Sequence, residues 1–384
     1  MPLCGGFWRG RRVLITGHTG FKGSWLAHWL LREGADVTGF ALAPATNPSL
    51  FNLLELQRHL THIEGDVRDA DRLAAVVTKA RPEVVLHLAA QPLVRLSYRE
   101  PRATWETNVG GTVNLLEAVR STPSVRACVV VTSDKCYENR EWVWGYREQE
   151  AMGGHDPYSS SKGAAELAVA SWRRSFFSSA SSSASNSVTS FTSGCRLASA
   201  RAGNVIGGGD WSADRIVTDF VLSIQAGKPL RLRNPHATRP WQHVLEPLSG
   251  YLHLAWKLCQ DDGPSLCEGW NFGPADSSVT TVEVLARALV DAYGSGEIEI
   301  ARDAAQPHEA GLLKLDCSKA VARLGWRGLW DVTTTSRRTA LWYQAQHAGT
   351  SATKLVDDDL NAYVNDASRQ RLPWAADPLT RTAP

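Results

Sequence analysis

A chain of 384 residues has room for two cooperating lobes, and 43% hydrophobic with 21% charged residues is the composition of a globular protein, not a disordered one. Lys and Arg total 41 against 39 Asp and Glu, so the net charge of +2 excludes the broad basic field of a nucleic-acid binder. Seven cysteines with no C-x-x-C pair fit a reducing compartment, and the lack of a long apolar run or leader-like start argues for the cytoplasm and against a membrane span.

From Arg12 the chain alternates β-branched runs with amphipathic ones. Val13-Leu14-Ile15-Thr16 reads as a strand and 24–32 as a helix; 36–40 and 61–64 follow as strands. Residues 73–79 look helical, 83–88 like a buried strand, 108–120 helical, and 125–132 like a second buried strand. A helix over 160–177 and a strand over 196–200 complete the series. The alternation predicts an α/β fold, a doubly wound parallel sheet of Rossmann type, with ligands at the carboxyl ends of the strands. Between the last two elements, nine of the sixteen residues 178–193 are serine, which reads as a surface insertion. Regular alternation weakens past Asn204. The expected division is a cofactor-binding domain over 1–203, a mainly substrate-facing lobe over 204–350 that returns some segments to the first domain, and a peripheral tail over 351–384.

Gly17-His18-Thr19-Gly20-Phe21-Lys22-Gly23 follows the first strand and opens the first helix. Glycines there let the backbone turn tightly and approach a pyrophosphate at the positive end of the helix. A G-x-x-G-x-x-G string alone is weak, and the strand-turn-helix setting gives it weight. The end of the second strand, Gly39-Phe40-Ala41-Leu42, carries neither the acid nor the arginine that would separate a ribose hydroxyl from a phosphate. Asp66 is placed to accept from an adenine amino group or to cap the next helix, for which Asp69 is the better candidate.

Tyr158 and Lys162 stand four apart, so a helix puts them on one face. A free phenol, with a pKa near 10, is a poor base at neutral pH, and a nearby cation favours the phenolate. A hydroxyl at the end of the preceding strand, Thr132 or Ser133, would complete a site for oxidising an alcohol. Asp134 and Lys135 follow at once. They could be a solvated pair, but two extra proton-transfer groups exceed what a plain dehydrogenase needs and point to a reaction with a second step.

These strings resemble the extended short-chain dehydrogenase/reductases, the NAD-dependent epimerases and dehydratases. The resemblance rests on the glycine turn, His87-Leu88-Ala89-Ala90-Gln91, Asn108-Val109-Gly110-Gly111-Thr112, Tyr158 and Lys162. Within them the chain is similar to the CDP-glucose 4,6-dehydratases through the string from Thr132 to Asn139, the string from Arg201 to Trp211, Arg239-Pro240-Trp241-Gln242-His243-Val244 and Asn271-Phe272-Gly273-Pro274. In related dehydratases a glutamate stands at the position of Lys135, and lysine marks the CDP-glucose branch.

The resemblance implies NAD held by Gly17, Thr19, Gly20, Phe21, Lys22, Gly23, Asp66, Leu88, Ala89, Ala90, Tyr158 and Lys162. It implies CDP-glucose held by Asn204, Arg215, Arg239 and His243, with Arg201 also near the site, and no metal. Ser133, Asp134, Lys135, Tyr158 and Lys162 would be catalytic: Tyr158 takes the C4 hydroxyl proton as hydride passes to NAD, Lys135 takes the C5 proton, Asp134 protonates the departing C6 hydroxyl, and hydride returns to C6. His243 alone could equally be a core histidine, and Trp211 and Trp241 could stack on a base or simply pack. Thr218, where the family leads one to expect proline, should loosen the substrate-side loop. A homo-oligomer, a dimer or dimer of dimers paired through helices around 104–120 and 158–177, is implied, with no nucleic-acid or membrane partner. Two alternatives stand: another NAD-dependent nucleotide-sugar dehydratase or epimerase, and a non-catalytic NAD-binding sensor.

Overall fold

The computed structural model describes residues 3–177, 193–275, 278–300 and 311–375. Its centre is a sheet of seven parallel strands: β1 (Arg12–Thr16), β2 (Asp36–Ala41), β3 (Thr61–Glu64), β4 (Val84–His87), β5 (Ala127–Val131), β6 (Arg196–Ala202) and a last strand, Gly269–Phe272. Their spatial order is the last strand, β6, β5, β4, β1, β2, β3. Strands β4 and β5 are buried throughout, as expected where both sheet faces are covered by helices, which is why they read as unbroken apolar runs. The two covering layers pack as separate cores, one around Trp25, Trp29 and Leu248, the other around Leu73, Leu115 and Val119.

The winding reverses between β1 and β4, which lie side by side, Ile15 opposite Leu86. Loops leaving the carboxyl ends of those two strands diverge to opposite faces, and that divergence opens the crevice in a doubly wound sheet.

Local chemistry sets most element ends. Asp69 caps the helix Ala70–Ala80, its side chain accepting from the Arg72 amide. The helix Pro157–Phe176 begins three residues before the expected start, because Asp156 accepts from the Ser159 amide at 2.9 Å and Pro157 suits the first turn. The segment expected to turn helical at 108 is already helical from Pro101, passes through a π-turn at Glu106–Gly110, and continues as Gly111–Arg120.

Beyond Ala202, short strand pairs and the helices Ile216–Gln225 and Val282–Tyr293 build one wall over the strand ends, while Gly269–Phe272 rejoins the sheet beside β6. The stretch expected to be a peripheral tail is a correction. Helix Ala352–Arg369 buries Val356, Leu360, Tyr363 and Ala367, which share one face by their spacing. Trp374 is fully buried, stacks on Tyr363 at 5.5 Å and accepts at its carbonyl from the Cys4 amide. Residues 178–192 of the serine-rich insertion lie outside the described residues.

Candidate active site

The glycine turn is shaped by what it must lie against. Gly17 sits at φ +78°, and a Cβ on it would come within 2.7 Å of the Ala89 amide nitrogen; one on Gly23 would strike the Gly17 carbonyl. Gly20 caps the helix Phe21–Arg32 without any side-chain hydrogen bond, so the first amides of that helix have no internal partner and are available to an anion. Behind the turn, Thr16 Oγ1 meets His87 Nδ1 at 2.6 Å and accepts from the Ala89 amide at 3.3 Å, tying the ends of β1 and β4 together. Burial lowers His87 to about 3, so the link carries no charge. His18 is likewise lowered to about 3, first by burial and then by His62, and its ring occupies the space that a side chain at Gly39 would fill.

The strand ends open on a cleft of about 1030 Å³. Gly17, Thr19, Gly20, Phe21, Lys22 and Gly23 line it, as do Leu88, Ala89 and Ala90 opposite, with Asp66 at one edge. Asp66 is held below the usual carboxylate range by Arg68, whose Nε donates to it at 2.8 Å. Lys22 is lowered to about 8 by burial and then by the Arg215 guanidinium.

Ser133, Asp134, Lys135, Tyr158 and Lys162 meet on the same cleft. Ser133 caps a short 3₁₀ turn, Asp134–Cys136; its Oγ accepts from the Lys135 amide, donates to Asp134 Oδ1 at 3.0 Å and offsets part of the rise that burial imposes on the Tyr158 phenol. Burial raises Tyr158 to about 12 and lowers Lys162 to about 8. Asp134 is 2% exposed, and its Oδ2 has no hydrogen-bond partner among the described residues. Gly203 faces that oxygen, and a Cβ there would come within 2.9 Å of it. Cys136 is buried behind the turn with its thiol pushed well above the usual range, which suits a packing role and not a nucleophile.

On the substrate-side wall the candidates divide. Asn204, Arg215 and Arg239 line the cleft. Arg215 Nε lies 3.4 Å from Asp210, and Arg239 is braced by the carbonyls of Thr238 and Gly311. His243 does not reach the cleft. It is 0% exposed, between the rings of Trp25 and Trp330, and lowered to about 3 by burial, because its two-residue strand turns it inward against the first helix. Arg201 is also withdrawn, bonding Glu166 at 2.8 Å and the Tyr137 hydroxyl at 2.6 Å. Trp241 borders the cleft, whereas Trp211 packs on Trp342 and Tyr343. Thr218 does not loosen its loop: its hydroxyl donates to the Asp210 carbonyl at 3.1 Å, a bond proline could not make.

Several residues escaped the sequence reading. Arg95, Arg231 and Arg233 also line the cleft, and Arg95 and Arg233 pair with Asp214 at 3.3 and 3.7 Å. Glu166 is one further turn along the helix from Lys162, so the Tyr158 spacing extended once more would have found it.

The family model for GDP-mannose 4,6 dehydratase matches residues 14–339 of this chain. The chain belongs to that family. A CDP-glucose 4,6-dehydratase of Salmonella typhimurium is 48% identical over 363 residues, covering 94% of this chain and 99% of the relative. A dTDP-glucose 4,6-dehydratase of Streptomyces antibioticus is 27% identical, covering 88% and 93%. Among solved structures, the dTDP-glucose 4,6-dehydratase of Streptomyces venezuelae with bound NAD superposes with a TM-score of 0.73 at 23% identity, over 89% of this chain and 99% of that one, and shares the fold. Among the described residues no helix is long and apolar enough to cross a membrane, and no cluster of three or more His, Cys, Asp or Glu could hold a metal ion.

Proposed function

We propose that the protein catalyses the NAD-dependent 4,6-dehydration of CDP-glucose to CDP-4-keto-6-deoxyglucose. The observation that carries the reading is that the Asp134-Lys135 turn opens on the same cleft as Tyr158 and Lys162, so oxidation and elimination groups face one substrate. The choice of CDP-glucose is supported by the 48% identity to the Salmonella enzyme and by lysine at 135.

The residues fit the cofactor. The glycine cradle leaves no room for a Cβ at Gly17 or Gly23, the helix start above it lacks a side-chain cap, and Leu88, Ala89 and Ala90 supply a flat apolar wall. Bound NAD would supply reversible hydride exchange with the sugar, accepting from C4 and returning to C6.

Tyr158 takes the proton of the C4 hydroxyl. Its phenol is raised by burial in the free protein, so it needs nearby positive charge, and Lys162 stands one turn away to provide it. Ser133, on the same cleft as the phenol, orients the sugar hydroxyl. A ketone at C4 acidifies the C5 proton, which Lys135 removes, while Asp134 gives a proton to the departing C6 hydroxyl, released as water. The unspent Oδ2 of Asp134 is the atom suited to that transfer. Arg215 and Arg239 hold the pyrophosphate, their planar guanidinium groups suited to paired phosphate contacts. The net reaction is a hydro-lyase step without change of redox state.

In this reading residues 1–203 mainly serve the cofactor and residues 204–350 mainly the nucleotide sugar. The helices expected to join two copies expose Trp105 and Leu167, which supports pairing through that face; sedimentation giving a dimer or larger agrees, and a monomer at working concentration contradicts it.

The experiment is incubation with CDP-glucose, dTDP-glucose, UDP-glucose and GDP-mannose in turn, reading the alkaline absorbance of a 4-keto product. Product from CDP-glucose is expected. Product only from another nucleotide sugar would establish a different dehydratase, and product from none would favour a cofactor-binding module.

A further inference from the structure

We propose that the buried Glu166–Arg201 pair is a positioning device that holds both ends of the Ser133-Asp134-Lys135 turn for the elimination half of the reaction. The proposal rests on the functional reading above for what the turn does, and on geometry alone for how it is held.

Both partners are buried, with side chains only 3% and 6% exposed. Such a pair is poor value as a stabiliser, since removing two charges from water costs about as much as their attraction returns. What distinguishes this one is where its hydrogen bonds go. Glu166 accepts from Thr132 Oγ1 at 2.5 Å, and Thr132 is the residue just before Ser133. Arg201 Nη1 donates to the Tyr137 hydroxyl at 2.6 Å, and Tyr137 is two residues beyond Lys135. Tyr137 passes the bond on to Asn271 Oδ1 at 2.7 Å, and the same Arg201 nitrogen reaches the Glu148 carbonyl. The turn is therefore pinned before and after its two proton-transfer groups by opposite members of one ion pair.

Glu166 also lies one helical turn beyond Lys162, itself one turn beyond Tyr158. The pair thus fixes the elimination groups relative to the helix that carries the oxidation groups. A third bond, from Ser199 Oγ to Glu166 at 2.7 Å, comes from β6 and not from the turn. It supplies an internal control.

Thr132→Val and Tyr137→Phe each remove one hydroxyl at one end of the turn and leave the ion pair in place; Ser199→Ala removes the hydroxyl that the turn does not use. In single turnover with CDP-glucose, both end variants should oxidise C4 within about twofold of the parent, while loss of the C6 hydroxyl and C5 exchange with deuterated solvent fall by about 10- to 100-fold. Reduced cofactor should then accumulate on the enzyme. Ser199→Ala should eliminate within about twofold of the parent. A second readout uses the protein without substrate: hydrogen exchange at the Lys135 and Cys136 amides, which bond the Ser133 hydroxyl and carbonyl, should quicken about tenfold in both end variants and not in Ser199→Ala. Exchange and elimination unchanged in both end variants, or altered equally in Ser199→Ala, would overturn the proposal. A parent that makes no product from CDP-glucose contradicts the functional reading instead, and amide exchange still decides how the turn is held.

Discussion

Asp134 and Glu246 are both deeply buried carboxylates, at 2% and 0% exposure, and the protein uses them differently. On the cleft wall, Asp134 spends one oxygen on Ser133 and leaves Oδ2 without a partner among the described residues, packed close against Gly203. In the C-terminal corner, Glu246 accepts from the amides of Leu329 and Trp330 at 2.9 and 2.7 Å and from the Tyr363 hydroxyl at 2.8 Å. Burial still raises it to about 7, a shift that by itself would flag a functional acid. Its surroundings show otherwise, because every donor it meets joins one structural segment to another. Two orphaned atoms in that corner, His243 Nε2 and Asp359 Oδ2, face each other at 3.9 Å and not a cavity. Burial and a displaced pKa do not mark a site; unused hydrogen-bonding capacity turned toward a cleft does.

The largest expected effect is at Tyr158. Tyr158→Phe removes only the phenol oxygen and should cut turnover by about 10²- to 10⁴-fold with the melting temperature little changed. Near-parent turnover would show that the cleft's proton acceptor is elsewhere. Next comes Arg239→Ala, expected to raise KM for the nucleotide sugar by about 10- to 100-fold with a smaller change in kcat, since a pyrophosphate contact is made equally before and during reaction. A fall confined to kcat would assign Arg239 to the chemistry instead.

The corner should answer in stability. Glu246 has its folded pKa raised from 4.5 to about 7, so the unfolded chain ionises first as pH rises. Its contribution is complete below about 4.5, declines as pH climbs toward 7 and then levels. Glu246→Gln should flatten that part of the melting-temperature profile while kcat stays within about twofold of the parent. An unchanged profile would mean that the carboxyl titrates alike in the folded and the unfolded chain. The smallest effect is His243→Asn, expected to lower stability and leave KM for CDP-glucose within about twofold, because the ring touches tryptophans and no cleft. A large rise in KM would restore it to the substrate wall.

The same contrast explains what the sequence disclosed. Gly17, Gly20 and Gly23, and Tyr158 with Lys162, were legible because strand-turn-helix geometry and helical spacing are local, so a residue's neighbours dictate where it points. The Asp69 cap was legible for the same reason. Arg201 and His243 were assigned to the site by their motifs, but both lie in strands, where one residue's step reverses the face, and only packing against Glu166 or Trp25 decides it. The C-terminal helix was underread because its apolar face, Val356, Leu360, Tyr363 and Ala367, is set among many charges, and its value comes from packing against Trp29, far off in the chain, and Trp374 just beyond its end. Glu166 was overlooked because a glutamate mid-helix reads as solvated, and its partners Thr132, Ser199 and Arg201 come from two strands.

The central claim is that one cleft holds separate groups for oxidation and for elimination. Single turnover of Lys135→Met with CDP-glucose tests it most directly. The account predicts that reduced cofactor appears, seen in its near-ultraviolet absorbance, and persists while little 4-keto-6-deoxy product is released. Full turnover by that variant, or no cofactor reduction at all in a folded protein, would contradict it.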